Sequence, residues 1–496
     1  MCEFARSYNE IHKRMLEKSL KGKTISGLGW SSADKIFQQF VVLVSGILLA
    51  RIIGKEAFGQ VGVLIIFWGL SNVLLDSGLT AAIIRKKNVT QSDYLTVFYL
   101  NISIAFFLYL VLFFCAPLIS SYYNNPVLVP LSRFLFLSFL FNAFGGVQSA
   151  KLYKEINYKF ITKNNVISIV SSYVIALVLA FLGCGVWALA SQLVVYSFVK
   201  TCNYWIFTKW RPTGSFSKKS FKELFAFSSV LTVGNLLGSV IINLPQNILG
   251  KVYSLGVTGA YYNANRQYNT ILEFLSGSVL HIPYPVLSAI DDAERFKRIF
   301  RKFVRVKAFI IFPVFMGMIL VADSFITVFL GSEWIEAIPV LQLLCVGGIF
   351  YGLDTSNGDL FKIKNKPGWY LMAVVLHLVA ILIAIGIIIA LNLNYLWLVF
   401  AMSMIYGLRY LIASIVANRL INYRFRELCK DLFPYFLIAS ATIGCGYLFH
   451  YFIPNKLVLM LCQMVFVGIL YIGISYIGGS KIVKEAMGLL KKEHIG

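Results

Sequence analysis

The chain has 496 residues, of which 58% are hydrophobic and 14% are charged, and it carries a formal net charge of +23. About a quarter of the residues in a typical soluble domain are charged, so this composition excludes an ordinary water-soluble fold and predicts a protein embedded in a bilayer. In a soluble protein the basic excess would suggest nucleic acid. Here the basic residues lie in short segments between apolar runs, so they indicate membrane topology, and no nucleic-acid partner is expected.

Apolar segments follow one another along the whole chain. A spanning helix needs about 20 mainly apolar residues, and charge clusters and Gly, Pro or Asn turns separate fourteen such segments. The sequence therefore predicts an all-α polytopic membrane protein with about 14 transmembrane helices, at 28–52, 57–80, 95–119, 127–149, 164–182, 184–206, 224–250, 257–283, 306–329, 337–358, 369–391, 395–417, 433–453 and 456–478.

The distribution of lysine and arginine predicts the orientation of these spans. Residues 1–23 carry six basic side chains and no apolar core, so we interpret them as a cytoplasmic lead-in and not as a secretory signal peptide. With this segment in the cytoplasm, 38 of the 45 basic residues fall on the cytoplasmic side and four on the other side. The positive-inside rule then predicts that both termini are cytoplasmic.

The first and seventh predicted spans end alike at an offset of 200 residues. Residues 49–59 match 249–259 in placing one basic residue and one glycine at a short turn into the next helix: Arg51 and Gly59 in one copy, Lys251 and Gly259 in the other. An offset of six helices preserves orientation, so we predict two parallel six-helix lobes that bind substrate between them. The predicted divisions are a lead-in at 1–23, an N-lobe at 24–215, a C-lobe at 216–425, and helices 13 and 14 with a cytoplasmic tail at 426–496.

The eighth predicted span is unusually polar. Arg266, Asn269 and Glu273 are spaced i, i+3 and i+7, so they share one helix face, and Tyr262 lies one turn before Arg266. Ionisable residues inside a membrane are costly and face protein or water, so this face is the strongest candidate substrate site. The alternative is that Arg266 and Glu273 pair and lock two helices together.

The seventh span carries a second polar stripe. Asn235, Ser239, Asn243 and Gln246 are spaced four, four and three residues apart, and Pro245 beside them is expected to kink the helix. Such a stripe suits a water-filled cavity that hydrogen-bonds sugar hydroxyls. Interhelical hydrogen bonds use the same residue types, so a structural role stays equally open.

Other polar residues in the spans give further candidates. Arg133 near the outer end of the fourth span is expected to contact substrate or to snorkel to the interface. Lys35 is a cavity candidate and Asp34 a coupling-ion candidate, although both lie close enough to the edge of the first span to be solvated. Asp354 and Asn357, one turn apart in the tenth span, are candidates for a cation or proton site.

The sequence offers little for catalysis or for cofactors. The eight cysteines form no CxxC pair and mostly lie in apolar runs, and the five histidines are scattered. Cysteines in this setting behave as small buried hydrophobic residues. We expect no metal site, no cofactor and no catalytic residue, and the sequence contains no GxxxxGK[ST] motif for ATP.

Several short motifs in loops and helix ends point to one family. They are LLARIIGKEAFG at 48–59, DSGLTAAIIRKK at 76–87, YKEINYKF at 153–160, GVTGAYY at 256–262, PVLS at 285–288 and FLGSEW at 329–334. These motifs resemble those of the polysaccharide-transporter family, the Wzx-type flippases of the multidrug/oligosaccharidyl-lipid/polysaccharide exporter superfamily. The likeness covers about residues 24–425 and is closest to the branch that exports exopolysaccharide and lipopolysaccharide units.

The resemblance implies a fold, a substrate and a mechanism. It implies two lobes around a V-shaped cavity that opens alternately to the two faces of the bacterial cytoplasmic membrane. The implied substrate is a saccharide repeat unit linked to undecaprenyl pyrophosphate, and the implied site is a cationic or polar cavity that shelters its head group while the lipid tail stays in the bilayer. In such a cavity Arg266 would hold the pyrophosphate bidentately and tyrosines would stack on the sugars. The implied partners are membrane lipids, pathway glycosyltransferases and a polymerase, with H⁺, Na⁺ or the membrane potential as the driving force.

Two other functions are less favoured than the flippase. A cation-coupled drug exporter would have the same architecture with a different cargo, but the loop motifs match the polysaccharide branch. A membrane polysaccharide polymerase or acyltransferase would need a long external loop that carries catalytic residues. The predicted external loops are short and carry few charges, so an enzyme is the less favoured alternative.

Overall fold

The protein is described by a computed structural model that covers residues 35–76, 79–86, 88–155, 157–276, 287, 290, 292–364, 366–478 and 482. The helices of these residues are α1 (Lys35–Ile52), α2 (Lys55–Asp76), α3 (Leu79–Arg85), α4 (Gln91–Tyr123), α5 (Leu128–Leu135), α6 (Leu137–Lys154), α7 (Tyr158–Phe181), α8 (Val186–Phe207), α9 (Lys218–Val252), α10 (Leu255–Leu275), α11 (Ala293–Phe325), α12 (Ala337–Ile363), α13 (Pro367–Ala390), α14 (Tyr395–Leu420), α15 (Phe425–Leu448) and α16 (Lys456–Ile477). A π-helical turn, Ile326–Leu330, extends α11, and short 3-10 turns cover Ser332–Trp334 and Phe449–Tyr451.

The predicted class of an all-helical protein with many membrane spans is confirmed. A helix occupies each of the fourteen predicted segments, and eleven of the helices in the described part of the chain are long and apolar enough to cross a membrane. The helices α8, α9 and α10 of the described residues are not among those eleven. The count of fourteen crossings therefore stays a prediction.

Three predicted segments differ from the observed helices. The fourth is interrupted at Phe136, so that α5 and α6 follow one another. The tenth, predicted to end at 358, continues to Ile363 in α12. The seventh, predicted at 224–250, is part of the longer helix α9, which runs from Lys218 to Val252 with Pro245 inside it.

Polar side chains fix several helix ends. At the start of α4 the Thr90 hydroxyl accepts from the Asp93 backbone N–H at 3.3 Å, and the Asp93 carboxylate accepts from the Thr90 backbone N–H at 2.9 Å. This capping box satisfies two backbone donors that the first turn leaves free. Asn124, with φ at 52°, ends α4 in the left-handed region. Ser254 is the N-cap of α10, because its hydroxyl accepts a hydrogen bond from the Val257 backbone N–H at 3.1 Å.

The described helices form two compact units. The first contains residues up to Ile52 together with Leu64–Val240, and the second contains Ile53–Val63 together with the residues from Ile241 onward. Helices α2 and α9 each contribute to both units. The predicted lobe boundary at 215/216 stays a prediction.

In the first unit α8 packs on α6 and α7, and α4 packs on α6. A Cβ added at Gly145 of α6 would lie 2.8 Å from the Thr201 hydroxyl of α8, so glycine allows this close approach. Outside the spans, the Lys86 ammonium pairs with Asp93 at 3.0 Å and Glu223 at 2.9 Å. Burial disfavours the charged form of Lys86, but the two carboxylates outweigh this effect and raise its pKa.

In the second unit α12 is the central helix, since it packs on α10, α11 and α14. Glycines allow these contacts. A Cβ at Gly347 would lie 3.1 Å from the Ser403 hydroxyl, and a Cβ at Gly348 would lie 2.6 Å from the Phe315 ring. Most of α12 is therefore buried, and its polar residues are held inside the unit.

An ionic cluster joins α11 to α15 in the second unit. The Arg301 guanidinium donates to both carboxylate oxygens of Asp431, at 2.7 and 3.1 Å, and to Glu427 at 2.8 Å. The Tyr423 hydroxyl donates to Asp431 at 2.7 Å. Asp431 is buried and accepts from several donors, so it is the centre of this cluster.

Candidate functional site

Helix α10 has one buried face and one open polar face. The buried face includes Tyr261, Ala264, Tyr268 and Leu275, and it packs on α12. The Tyr268 ring lies 6.0 Å from the Phe315 ring, and both rings contact the position of Gly348. Aromatic packing on a glycine leaves α10 little freedom to rotate about its axis.

The structure brings the four candidate residues of α10 together on the opposite face. Tyr262 and Arg266 are half-buried, and Asn269 and Glu273 are exposed. They are spaced four, three and four residues apart, which keeps them in one row along the helix. Along the helix this face therefore carries a phenol, a guanidinium, an amide and a carboxylate, in that order. Whether this row binds substrate stays a prediction.

The polar stripe of α9 is not uniform. Asn235 is exposed, Ser239 and Asn243 are half-buried, and Gln246 is 3% exposed. The Gln246 amide lies against Gly62 of α2, where an added Cβ would be 2.7 Å from its nitrogen. The stripe thus runs from an open end at Asn235 to a closed end at Gln246.

The remaining cavity candidates lie near the start of the chain. Arg133 of α5 donates from Nε to the Phe113 carbonyl of α4 at 3.3 Å, and its guanidinium lies 4.1 Å from the centre of the Phe113 ring. Arg133 thus contacts α4 closely while remaining half-buried. Lys35 is exposed at the first described position of α1, and Asp34 lies outside the described residues.

The two coupling-ion candidates of α12 lie in a buried polar cluster. Asp354 pairs through Oδ2 with the Arg409 guanidinium of α14 at 2.9 Å. The Asn357 amide donates to the other Asp354 oxygen at 3.1 Å and to the Ser414 hydroxyl at 3.0 Å. The structure therefore brings Asp354 and Asn357 together as predicted, and it adds a basic partner that balances the carboxylate charge.

The sequence interpretation missed two basic residues of this unit. Lys307 is 1% exposed and donates from Nζ to the Thr355 hydroxyl at 2.8 Å. Both Lys307 and Arg409 were counted among cytoplasmic basic residues, yet each lies within a predicted span, at 306–329 and 395–417. That position inside an apolar segment is the signal that could have identified them.

A close helix crossing lies beside the α10 site. A Cβ at Gly59 of α2 would lie 1.9 Å from the Leu255 carbonyl oxygen, and a Cβ at Gly259 of α10 would lie 1.8 Å from the Lys55 carbonyl oxygen. The two glycines paired by the offset of 200 thus contact each other's helix start reciprocally. Only glycine fits at such a distance from a backbone oxygen.

Aromatic residues hold this crossing in place. The buried Phe58 ring of α2 lies 5.2 Å from the Trp334 ring and 6.3 Å from the Tyr262 ring. The Lys55 ammonium pairs with Glu336 at 3.0 Å. The FLGSEW motif at 329–334 therefore contributes packing next to the row of Tyr262 and Arg266.

No metal centre is found in the part of the chain that the structure describes, where no group of three or more His, Cys, Asp or Glu side chains could hold an ion. The row on α10 contains phenol, guanidinium, amide and carboxylate groups.

Comparison with known proteins identifies the family. The family described as "Polysaccharide biosynthesis protein" matches residues 48–339, more than half of the chain. The chain belongs to this family. The predicted membership of the polysaccharide transporters is confirmed, and the protein is a multi-pass membrane transporter of polysaccharide biosynthesis.

Similar proteins carry names from several polysaccharide pathways. The lipopolysaccharide biosynthesis protein WzxC of Escherichia coli (strain K12) is 29% identical over 358 residues, which cover 70% of this chain and 71% of WzxC. The succinoglycan biosynthesis transport protein ExoT of Rhizobium meliloti (strain 1021) is 26% identical over 66% of this chain and 67% of its own length.

Solved structures show the same fold. The lipid II flippase MurJ in an inward closed conformation superposes with a TM-score of 0.77 at 16% identity, over 91% of this chain and 99% of MurJ. An inward-facing multidrug resistance MATE transporter superposes with a TM-score of 0.61 at 15% identity, over 79% of this chain and 98% of its own length. At these identities the likeness concerns the fold alone.

Proposed function

We propose that this polysaccharide transporter flips undecaprenyl-pyrophosphate-linked saccharide repeat units across the bacterial inner membrane for surface polysaccharide assembly. The open row of Tyr262, Arg266, Asn269 and Glu273 on α10 is the observation that carries the proposal. It is a polar, half-open surface in a chain that is otherwise strongly apolar, and it lies in a protein of the polysaccharide transporter family.

The physical problem for a flippase is the head group. A pyrophosphate bearing sugars has charges and hydroxyls whose transfer into hydrocarbon is very costly unless protein or water replaces their hydrogen bonds. The guanidinium of Arg266 can hold two phosphate oxygens at once, and the Asn269 amide can donate to and accept from sugar hydroxyls. The Tyr262 ring offers an apolar face to a sugar.

The packing of α10 supports this use of its open face. The opposite face is fixed by Tyr268 against Phe315 and Gly348, and the helix start is fixed at the crossing of Gly59 and Gly259. A site held on a rigid helix keeps its groups in place while the ligand changes, which lowers the entropy cost of binding.

In the proposed cycle the protein makes and breaks no covalent bond. Access to the α10 row alternates between the two sides of the membrane, with both termini in the cytoplasm. Pathway glycosyltransferases supply the lipid-linked unit, and a polymerase uses it on the other side. The lipid tail stays in the bilayer throughout, because only the head group needs a polar path.

The proposal is tested by replacing Arg266. Arg266→Ala should abolish complementation of surface polysaccharide in a strain that lacks this transporter, while expression and membrane insertion stay normal. In nanodiscs it should weaken binding of undecaprenyl pyrophosphate by at least about 10- to 150-fold, which corresponds to the loss of one charge-assisted hydrogen bond of about 1.5–3 kcal/mol. Arg266→Lys should recover part of the binding if charge alone matters, and little if the bidentate geometry matters.

The matched control is Arg419→Ala, at an exposed arginine in the last turn of α14. It removes the same side chain from the same unit and should leave polysaccharide and binding unchanged. Normal surface polysaccharide in the Arg266→Ala strain would show that Arg266 is not part of the substrate site. Export of fluorescent cationic dyes by the purified protein, without binding of the lipid, would favour the drug-exporter alternative.

A further inference from the structure

Lys200 of α8 lies well inside a predicted membrane span. It belongs to the span predicted at 184–206, and it precedes the last residue of α8, Phe207, by seven residues, which is about 10 Å along the helix. A lysine at this depth is costly unless its ammonium reaches water or binds an anion. Its side chain is half-buried in the first unit, where α8 packs on α6 and α7.

The ammonium of Lys200 has phenols as its neighbours. Its Nζ donates to the Tyr196 hydroxyl at 3.4 Å and lies 5.2 Å from the centre of the Tyr196 ring. Tyr204, one turn further along α8, and Tyr153, near the end of α6, act on it electrostatically. Among the described residues no carboxylate forms an ion pair with Lys200. A neutral phenol cannot balance the charge of an ammonium, so the cation still needs an anion.

Hydrogen-bond donors exceed acceptors on this face of α8. Tyr196, Lys200 and Asn203 are spaced four and three residues apart, so they share one helix face. The ammonium has three N–H groups and uses one of them on Tyr196, whose hydroxyl keeps its own proton to donate. The Asn203 amide nitrogen is buried and has no acceptor among the described residues. A cation with spare donors beside it suits an anion that carries several oxygens.

Hydrogen bonds from the neighbouring helices hold this part of α8 in place. The Asn164 amide of α7 donates to the Lys200 backbone carbonyl at 3.1 Å, and the Thr201 hydroxyl donates to the Phe141 carbonyl of α6 at 2.7 Å. Neither bond uses the Lys200 side chain. A substitution at this position therefore removes the ammonium and leaves both bonds to α8 intact.

We propose that Lys200 and Tyr196 bind the phosphate group of an anionic phospholipid of the surrounding bilayer. Basic pockets between spanning helices on the cytoplasmic side are typical sites for lipid head groups, and this end of α8 is the one predicted to be cytoplasmic. Tyrosine suits the same level of the membrane, because its ring is apolar and its hydroxyl is polar. The exposed Lys159 and Lys163 near the start of α7 add positive charge at this end of the first unit.

The charge of the site favours a phospholipid over the lipid carrier of the proposed function. One ammonium balances the single negative charge of a phosphodiester, whereas a sugar-linked pyrophosphate carries two charges and would leave one unpaired in the membrane. The proposed head-group row lies on α10 in the second unit, and the lipid site lies in the first unit. The two proposals therefore involve different residues and different lipids.

The test measures lipid binding to the purified full-length protein in a neutral detergent by native mass spectrometry, with phosphatidylglycerol as the probe. Lys200→Gln should weaken the tightest phosphatidylglycerol site by at least about 10-fold, because it removes a charge-assisted hydrogen bond. Tyr196→Phe should weaken it by about 2- to 10-fold, because a neutral hydrogen bond contributes less. Lys200→Arg keeps the cation and should retain most of the binding.

Lys209→Gln is the matched control, at an exposed lysine just after α8, and it should weaken binding clearly less than Lys200→Gln. Retention on size exclusion checks that each variant is folded. Undecaprenyl pyrophosphate and inorganic phosphate are measured as separate arms, and neither should depend on Lys200.

Three results would overturn the proposal. Equal phosphatidylglycerol binding by Lys200→Gln and the unchanged protein would show that the lysine only extends to the membrane interface. If Lys200→Gln weakened undecaprenyl pyrophosphate and not phosphatidylglycerol, the lipid carrier and not a phospholipid would be the ligand. If it weakened only inorganic phosphate, the site would not recognise a lipid.

Discussion

The close crossing of α2 and α10 gives the sharpest prediction about packing. In Gly259→Ala the new Cβ would lie 1.8 Å from the Lys55 carbonyl oxygen, 2.8 Å from the Lys55 carbonyl carbon and 3.0 Å from the Gly59 nitrogen. All three are backbone atoms that cannot rotate away. Since non-bonded carbon atoms prefer separations of about 3.5–4.0 Å, the two helix starts must move apart by on the order of 1–2 Å.

The energetic cost follows from this displacement. Overpacking in a core typically costs about 1–3 kcal/mol, and rigid neighbours place this case at the upper end. Alanine regains up to about 1 kcal/mol of helix propensity relative to glycine. We therefore expect Gly259→Ala to lower the free energy of unfolding by about 2 kcal/mol, which is roughly a 30-fold change in the folding equilibrium.

The reciprocal contact makes a second variant informative. Gly59→Ala places a Cβ 1.9 Å from the Leu255 carbonyl oxygen and should cost about as much as Gly259→Ala. Both clashes are relieved by the same separation of α2 and α10. The double variant should therefore cost clearly less than the sum of the two single variants.

Stability can be followed by denaturant unfolding in detergent micelles, with retention on size exclusion as a check of folding. Gly256→Ala is the matched control, because an added Cβ there would meet the flexible Lys55 side chain at an ordinary 3.5 Å. Equal stability of the Gly259 and Gly256 variants would refute the crossing. If the double variant lost as much unfolding free energy as the two single variants together, one separation of α2 and α10 would not be relieving both clashes.

Two further substitutions test the packing of the second unit by the same unfolding measurement. Asp431→Asn removes the shared acceptor of Arg301 and Tyr423, and because Arg301 remains 27% exposed we expect a loss of about 2–3 kcal/mol, below the ~3–5 kcal/mol of a fully buried pair. Trp334→Ala removes a buried ring from its contact with Phe58 and should cost about 3–5 kcal/mol.

Each of these has a control of the same residue class. Trp397 is 53% exposed, so Trp397→Ala should change stability little. Glu155 is exposed and pairs with the half-buried Lys151 at 3.9 Å, and Glu155→Gln should cost less than about 1 kcal/mol. If the Asp431 variant behaves like the Glu155 variant, the ionic cluster contributes no net stability.

Much of the candidate site was predictable because helical periodicity is a local property. Tyr262, Arg266, Asn269 and Glu273 share a face in any straight helix, and the structure has that helix at Leu255–Leu275. Asp354 and Asn357 were likewise one turn apart before their partners were known. The same reasoning could not distinguish the open end of the α9 stripe from its closed end at Gln246, because burial depends on another helix.

The missed residues show the same limit. Lys307 and Arg409 were counted among the cytoplasmic basic residues. Their hydrogen-bonding and ionic partners, Thr355 and Asp354, lie on a helix about fifty residues away in sequence.

The sequence by itself determined the membrane class, the positions of the helices and the family, because hydropathy and motif spacing belong to single segments. Only the tertiary structure decided which polar residues meet. The Asp354–Arg409 pair and the reciprocal contact of Gly59 with Gly259 depend on which helices pack and how each is rotated. In a bilayer many helix faces are apolar enough for either lipid or protein, so composition alone leaves that choice open.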